Sequence, residues 1–232
     1  DLGTRLLTRM YTRAQERQNE FQNTGVHFHT LVNALERERL AVVQAFGMRE
    51  LRRFWQMVRS LDAPLDAPRF SDGIVTRAYR VGDDDERVND AVNEAFRDHF
   101  GHSETSIEAW KHFASQPFFR PDLTLIAEDT QTREIAGFSI NLMNSKENER
   151  LGITRGWVDL IGVRRPWRQQ GLGTALLLKS LQIFREAGVT QAALGCDSEN
   201  MTGATRIYER VGFRVDKTRI AFRKLLRGEQ VP

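Results

Sequence analysis

The sequence predicts an α/β fold in which helices flank a mixed sheet, with a partial second copy of that unit at the N-terminal end. Three observations carry the prediction. β-rich segments alternate with amphipathic helical ones through the C-terminal two thirds of the chain, a glycine-bearing turn joins one strand to one helix, and a mid-unit motif appears twice. Strands mixed with segregated helices bury their apolar faces as packed layers.

The repeated motif is Leu172-Gly173-Thr174-Ala175-Leu176-Leu177, echoed 170 residues earlier as Leu2-Gly3-Thr4-Arg5-Leu6-Leu7. Two further anchors follow in the same order. Gly25-Val26 matches Gly188-Val189, and Ala45-Phe46-Gly47-Met48 matches Arg210-Val211-Gly212-Phe213. Ordered self-similarity marks a repeat, so residues 1–60 read as the second half of a unit whose complete copy occupies 73–228. The stretch 61–72 between them holds Pro64 and Pro68 among short polar residues, which disfavours both helix and ladder and marks a linker. An isolated half-unit would expose Leu2, Leu6, Leu7 and Met10 on its first helix. Residues 1–60 are therefore expected to pack against the complete domain or a second chain as a homo-oligomer, or to belong to a longer protein. An opening without methionine favours the last expectation.

In the complete copy, residues 74–80 begin as a strand. Asp83-Asp84-Asp85 supplies negative charge for a helix start, and Val88, Ala91, Val92 and Ala95 line one face of the helix that follows. A second helix is expected over 106–114. Residues 123–128 and 135–143 are β-rich and separated by the polar turn 129–133, a hairpin pattern. Another strand covers 157–163. Residues 171–187 form a helix with Leu176, Leu177, Ser180, Leu181 and Phe184 on one face, ended by Gly188. A strand at 191–196, a helix at 202–211 and a returning strand through 226 complete the unit.

Composition narrows the function classes. The 232 residues are 40% apolar and 28% charged, which excludes disorder. The longest uncharged apolar run, 175–178, falls far short of the roughly 18–20 residues that span a bilayer, so no membrane partner is expected. No apolar signal core can be drawn near the N-terminus, because Arg5, Arg9 and Arg13 interrupt it. A single cysteine, Cys196, cannot close an internal disulfide, and this fits a reducing cytoplasm. The net charge is only +3, and just five of the 34 basic residues are lysines. The arginines alternate with acids, as in Glu36-Arg37-Glu38-Arg39, so no basic stripe for nucleic acid is formed. His99 and His102 have no evident third ligand, so no metal is expected.

The chemistry is concentrated in Val163-Arg164-Arg165-Pro166-Trp167-Arg168-Gln169-Gln170-Gly171-Leu172-Gly173-Thr174. A strand feeds a turn whose glycines let backbone N–H groups approach a ligand, and a helix opens with its free N–H groups and positive dipole end suited to a diphosphate. It is not a P-loop, since no Gly-Lys-Ser/Thr ends the turn, and it lacks the third glycine and distal acid of a dinucleotide fingerprint. Arg168-Gln169-Gln170-Gly171-Leu172-Gly173 resembles the acyl-CoA loop of the GNAT acetyltransferases, Arg/Gln-x-x-Gly-x-Gly/Ala. Downstream, the run from Asn200 through Ala204 and Tyr208 to Gly212-Phe213 is similar to that family's Asn…Ala…Tyr-x-x-x-Gly-Phe helix. Tandem GNAT proteins of the mycothiol-synthase type carry two such domains, and Asp98-His99-Phe100-Gly101, Glu108-Ala109-Trp110 and Pro121-Asp122-Leu123 resemble that subgroup.

The resemblance implies the GNAT fold, a mostly antiparallel mixed sheet flanked by helices, and an acetyl-CoA-dependent N-acetyltransferase acting on a primary amine of a small molecule, of aminosugar or cysteinyl type. Backbone amides around Gln169, Gln170, Gly171, Leu172, Gly173 and Thr174, with Arg168, would hold the pyrophosphate. The edge of Ile161, Gly162 and Val163 would bind the pantetheine arm, Asn200 would orient it, and Tyr208 would protonate the leaving thiolate. The alternatives are a turn cap at Arg168, a helix cap at Asn200 and a core position for Tyr208. Asp159 either faces the acceptor as the base or sits in a structural ion pair. Trp157 stands where many relatives place a base-like glutamate, which leaves a water relay or another carboxylate such as Glu128. In the first copy Val43 replaces the tyrosine, so that half is no complete site, and a catalytically silent acyl-CoA-binding module is the alternative function.

Overall fold

A computed structural model of the chain describes residues 2–20, 25–199 and 203–228. Its elements run α1 (Leu2–Arg17), β1 (Val26–Asn33), α2 (Arg37–Ala45), β2 (Arg49–Ser60), β3 (Ile74–Ala78), α3 (Asp85–Phe96), α4 (Ile107–Ala114), β4 (Leu125–Asp129), β5 (Ile135–Leu142), α5 (Ser145–Leu151), β6 (Arg155–Val163), α6 (Leu172–Glu186), β7 (Gln191–Asp197), α7 (Ala204–Arg210) and β8 (Arg214–Arg227). Every element expected of 73–226 is present within a few residues of its expected bounds. The short helix α5 was not anticipated; the Asn144 side chain starts it by accepting from the Glu147 N–H at 3.1 Å. No described helix is long and apolar enough to cross a membrane.

The chain forms two compact units, one from residues 58–194 and 206–214, the other from 1–57, 195–205 and 215–232. The larger unit is built on strands ordered β7-β6-β5-β4-β3. Its pairs are antiparallel except β6 with β7, which is parallel. Side chains alternate across the strands. Ile126, Phe138 and Ile140 join Val88, Val92 and Trp110 from α3 and α4 in one cluster. Leu125, Ala127 and Ala136 turn the other way onto Leu172 and Leu176 of α6. Fully burying a side chain of this size contributes roughly 1.5–3 kcal/mol, so the two clusters hold the helices to opposite faces of this sheet. In the smaller unit β8 lies between β1 and β2, and Val32, Val43, Met48, Ile220 and Phe222 form its core.

The repeat is visible in backbone hydrogen bonds. At the end of α2, Phe46 N–H donates to Val42 O, Gly47 to Gln44 and Met48 to Val43, at 3.0, 2.9 and 3.1 Å. At the end of α7, Val211 donates to Ile207, Gly212 to Glu209 and Phe213 to Tyr208, each at 2.9 Å. Both helices stop at a glycine with positive φ, +79° for Gly47 and +95° for Gly212, a region that a side chain disfavours. Val43 and Tyr208 thus hold the same place in the two copies.

A buried ion-pair network ties β3 and β4 to the start of α3. Arg77 donates to both oxygens of Asp84 at 2.6 and 2.7 Å, and to both of Glu128 at 2.8 and 3.1 Å. Arg87 adds a 3.0 Å contact to Glu128. Burial pushes the Asp84 carboxyl up, but hydrogen bonds from Arg77 and Arg80 outweigh it and hold the group below its ordinary range. The Arg77 bonds hold Glu128 down as well, against the opposing effect of burial. Two acids depressed in the folded state stabilise it fully above their unfolded pKa values, near about 4, and this contribution is lost as pH falls below them. Arg77→Met should therefore cost about 3–5 kcal/mol at neutral pH by leaving buried carboxylates unpaired. Urea titrations repeated from neutral pH to below about 4 should show the wild type losing stability with acid more steeply than the variant. Equal stability of the two proteins at neutral pH would contradict the assignment.

Candidate active site

The second half of β6 defines the site. From Arg155 to Val158 it pairs in parallel with Gln191 to Leu194 of β7, and that ladder then stops. On its other side the pairing continues, with Leu160 opposite Ile140, Ile161 opposite Ser139, Gly162 opposite Phe138 and Val163 opposite Gly137. Asp159 has no partner on β5, because the register passes from Val158 opposite Asn141 to Leu160 opposite Ile140. One extra residue on one strand is a β-bulge, which bends the strand and re-aims a side chain.

Asp159 is accessible to solvent, yet the protein around it removes enough water to push its carboxyl above the usual carboxylate range. Among the described residues no ion pair holds it. Glu128, the other carboxylate considered, is committed to Arg77 and Arg87. Trp157 has Arg155 over its ring at 6.0 Å.

Past Val163 the chain makes a 3-10 turn, Arg165–Trp167, and enters α6 through Gln169 and Gly171, both left-handed at φ +64° and +79°. For a glutamine that conformation costs about 1 kcal/mol or more and is characteristic of ligand-binding loops. A Cβ on Gly171 would meet nothing within 4 Å, so its glycine answers to φ alone, whereas a Cβ on Gly173 would touch only Val163 Cγ2 at an ordinary 3.7 Å. No side chain caps the helix, and its first bond runs from Ala175 N–H to Gly171 O at 3.0 Å. The amides of Leu172, Gly173 and Thr174 lie ahead of that bond, in the turn where a helix has no internal acceptors.

Three arginines lock this loop to the end of α3. Arg168 donates through Nε to Val163 O and through Nη2 to Ala95 O, each at 3.0 Å, so it braces β6 against α3 rather than capping a turn. Arg164 donates to Glu94 at 2.5 Å, and Arg165 grips both oxygens of Asp98 at 2.8 and 3.0 Å. Glu94 and Asp98 were not anticipated as supports. Glu94 lies in the last turn of α3 and Asp98 just past its end, a spacing of four that was the signal available. Gly162 is explained by packing, since a Cβ there would lie 2.5 Å from Phe138 Cζ and 3.1 Å from Ala95 Cβ.

Tyr208 stands on α7, its ring edge-on to Phe213 with centroids 6.4 Å apart. Asn200 lies outside the described residues. His99 packs on Phe96 with ring centroids 4.6 Å apart, and no group of three His, Cys, Asp or Glu among the described residues is placed to hold a metal. Cys196 is buried with its sulfur 3.8 Å from Met57 Sδ. Trp110 and Phe119 are core, Phe96 and Phe113 pack against it, and Phe100 is exposed.

Beyond Val158, β6 is released from its parallel neighbour and runs through a short turn into the glycine-opened start of α6. The sequence model of the acetyltransferase (GNAT) family matches residues 86–213, and the chain belongs to that family. Among its relatives, a mycothiol acetyltransferase of Thermobispora bispora is 34% identical over 168 residues, covering 72% of this chain and 56% of that protein. One of Salinispora tropica is 34% identical over 167 residues, covering 71% and 52%. The chain spans about half the length of these curated relatives. A solved GCN5-related N-acetyltransferase from Sphaerobacter thermophilus superposes with a TM-score of 0.82 at 29% identity, over 99% of this chain and 70% of its own. A tandem GNAT protein from the clavulanic acid biosynthesis pathway shares the fold, with a TM-score of 0.65 at 13% identity, over 96% of this chain and 70% of its own.

Gly171→Ala should lower stability by about 1–2 kcal/mol through the left-handed φ, whereas Gly173→Ala should be nearly neutral because the space exists. Thermal melts of the two variants compare them directly, and equal losses would refute the distinction.

Proposed function

We propose that residues 73–228 act as an acetyl-CoA-dependent N-acetyltransferase that transfers its acetyl group directly to the primary amine of a small molecule, of cysteinyl or aminosugar type. The observation that carries this is the continuity of three features in one strand and loop: the bulge at Asp159, the released edge Ile161-Gly162-Val163 and the open helix start at Gly171. The cysteinyl-aminosugar class is supported by the relatives named as mycothiol acetyltransferases.

Acetyl-CoA supplies a thioester whose carbonyl carbon accepts the amine. The amides of Gln169 to Thr174 bind the pyrophosphate, aided by the helix dipole. The released β6 edge takes the pantetheine arm as an added strand, which orients the thioester and excludes water from one side. Asp159 in its ionised form takes the proton that frees the amine lone pair. As the C–N bond forms and the C–S bond breaks, the Tyr208 hydroxyl gives its proton to the sulfur. Asn200 is assigned to orienting the arm.

Tyr208→Phe should lower kcat by about 100-fold while leaving acetyl-CoA affinity within a few-fold, read by thiol release and calorimetry. The rate should rise with pH through the Asp159 ionisation, with an acid limb above the ordinary carboxylate range, and Asp159→Asn should abolish that limb. A panel of amines, aminosugars and cysteinyl compounds then tests the acceptor. Failure of acetyl-CoA to bind at high micromolar concentration would refute the proposal. Tight CoA binding without thiol release from any acceptor would instead establish the silent module, a reading that rests on Val43 in the first copy and Trp157 in the second.

A further inference from the structure

The two faces of β6 are used differently. Gly156 turns toward α6, since a Cβ there would lie 2.8 Å from the Phe184 ring, so by strand alternation Trp157 and Asp159 share the opposite face. Trp157 stands across from Leu142, which packs on the cluster of α3 and α4. Beyond the bulge, Leu160 packs on that cluster too. The strand thus offers a partly buried indole and an exposed carboxylate side by side, at the point where its parallel ladder stops.

Trp157 is not employed as the other tryptophans of this unit are. Trp110 donates its Nε1–H to the Tyr79 hydroxyl at 3.1 Å and packs with Tyr79 and Phe113. Trp167 donates to Asp129 at 3.0 Å and lies in the cluster beneath α6. Trp157 belongs to neither of these two clusters. Among the described residues its N–H has no hydrogen-bond partner and no aromatic ring packs on it. Its one fixed contact is Arg155, whose guanidinium lies over the ring at 6.0 Å and is itself held by a 2.7 Å bond from Nε to Gln191. The ring is steadied from one side, while its N–H is left to solvent.

We infer that Trp157 is a specificity-determining residue of the acceptor site, where its indole is a platform for a pyranose ring and presents that ring's amine to Asp159. Two residues along a strand span about 6–7 Å, on the scale of one hexose with its amine. The chemistry narrows the acceptor further. A saturated ring lays its C–H face on an aromatic one without losing rotamers, whereas a linear amine of the same size loses them when held. Once covered, the indole N–H requires an oxygen acceptor. Sugar hydroxyls supply one, and a purely hydrocarbon amine does not. The inference rests on the acetyl-transfer reading for the place of the amine, and it narrows that acceptor to an aminosugar.

Saturation-transfer NMR on the CoA-loaded protein, with methyl glucosaminide as the probe, reads binding without turnover. The ring C–H protons should receive saturation from the wild type, and Trp157→Ala should weaken binding by about 10-fold. Trp157→Phe keeps a ring but loses the N–H. It should weaken the glucosaminide by about 3-fold and leave cyclohexylamine, which has no oxygen, unchanged; this contrast stands whether or not the alanine variant folds. In turnover, Trp157→Ala should raise KM for the glucosaminide by about 10-fold with kcat within a few-fold, and so erase the preference over a linear alkylamine. Equal losses on every amine would overturn the inference by making Trp157 structural, and so would a glucosaminide affinity that neither variant changes. If acetyl-CoA binds and no amine turns over, the acetyl-transfer reading fails, while the saturation contrast between the wild type and Trp157→Phe still confirms or overturns the platform.

Discussion

Where β6 carries one residue more than β5 can match, at Asp159, the sheet loses its regularity, and the site depends on that irregularity. Up to Val158 the strand is held on both sides, and beyond it on one side only. Strand edges expose unpaired backbone groups and are normally blunted or covered. Here the edge from Leu160 to Val163 carries neither charge nor proline. It runs through Ile161, Gly162 and Val163 into a helix start that is also uncapped, with only the Arg165–Trp167 turn and the residues up to Gly171 between them.

Such an edge needs rigid support, because it gains nothing from its own pairing. Arg164, Arg165 and Arg168 supply it by reaching Glu94, Asp98 and the Ala95 carbonyl at the end of α3. The start of the same helix is fixed by Asp84 to Arg77, which also holds Glu128 of β4. α3 is therefore anchored at both ends by arginine forks. Arginine suits this work because its planar, always charged group donates in pairs to carboxylates. The arginine-rich composition thus has a structural destination in the larger unit.

The repeat shows how one local pattern meets two fates. Both copies end a helix with the same three bonds around Gly47 or Gly212, yet Val43 is a core residue in one and Tyr208 carries a hydroxyl in the other. The backbone device is independent of the chemistry placed on it.

Element identity was legible in the sequence, because burial periodicity and glycine stops are local: the apolar face of α6, the hairpin of β4 and β5 and the loop at Gly171 all follow from residues within one turn or one strand. The residues of the candidate acyl-CoA loop were legible for the same reason, as a contiguous motif. Pairings between distant residues were not. Glu94 and Asp98 meet Arg164 and Arg165 across about 70 residues of sequence, and β8 from the far end of the chain lies between β1 and β2. The bulge at Asp159 depends on the register of two strands, which neither strand encodes alone. Charge and hydropathy along the sequence determined which residues seek partners and which faces seek cover. Only the tertiary structure decided which partners they met, since that choice is made by sheet register and packing between segments that no local pattern connects.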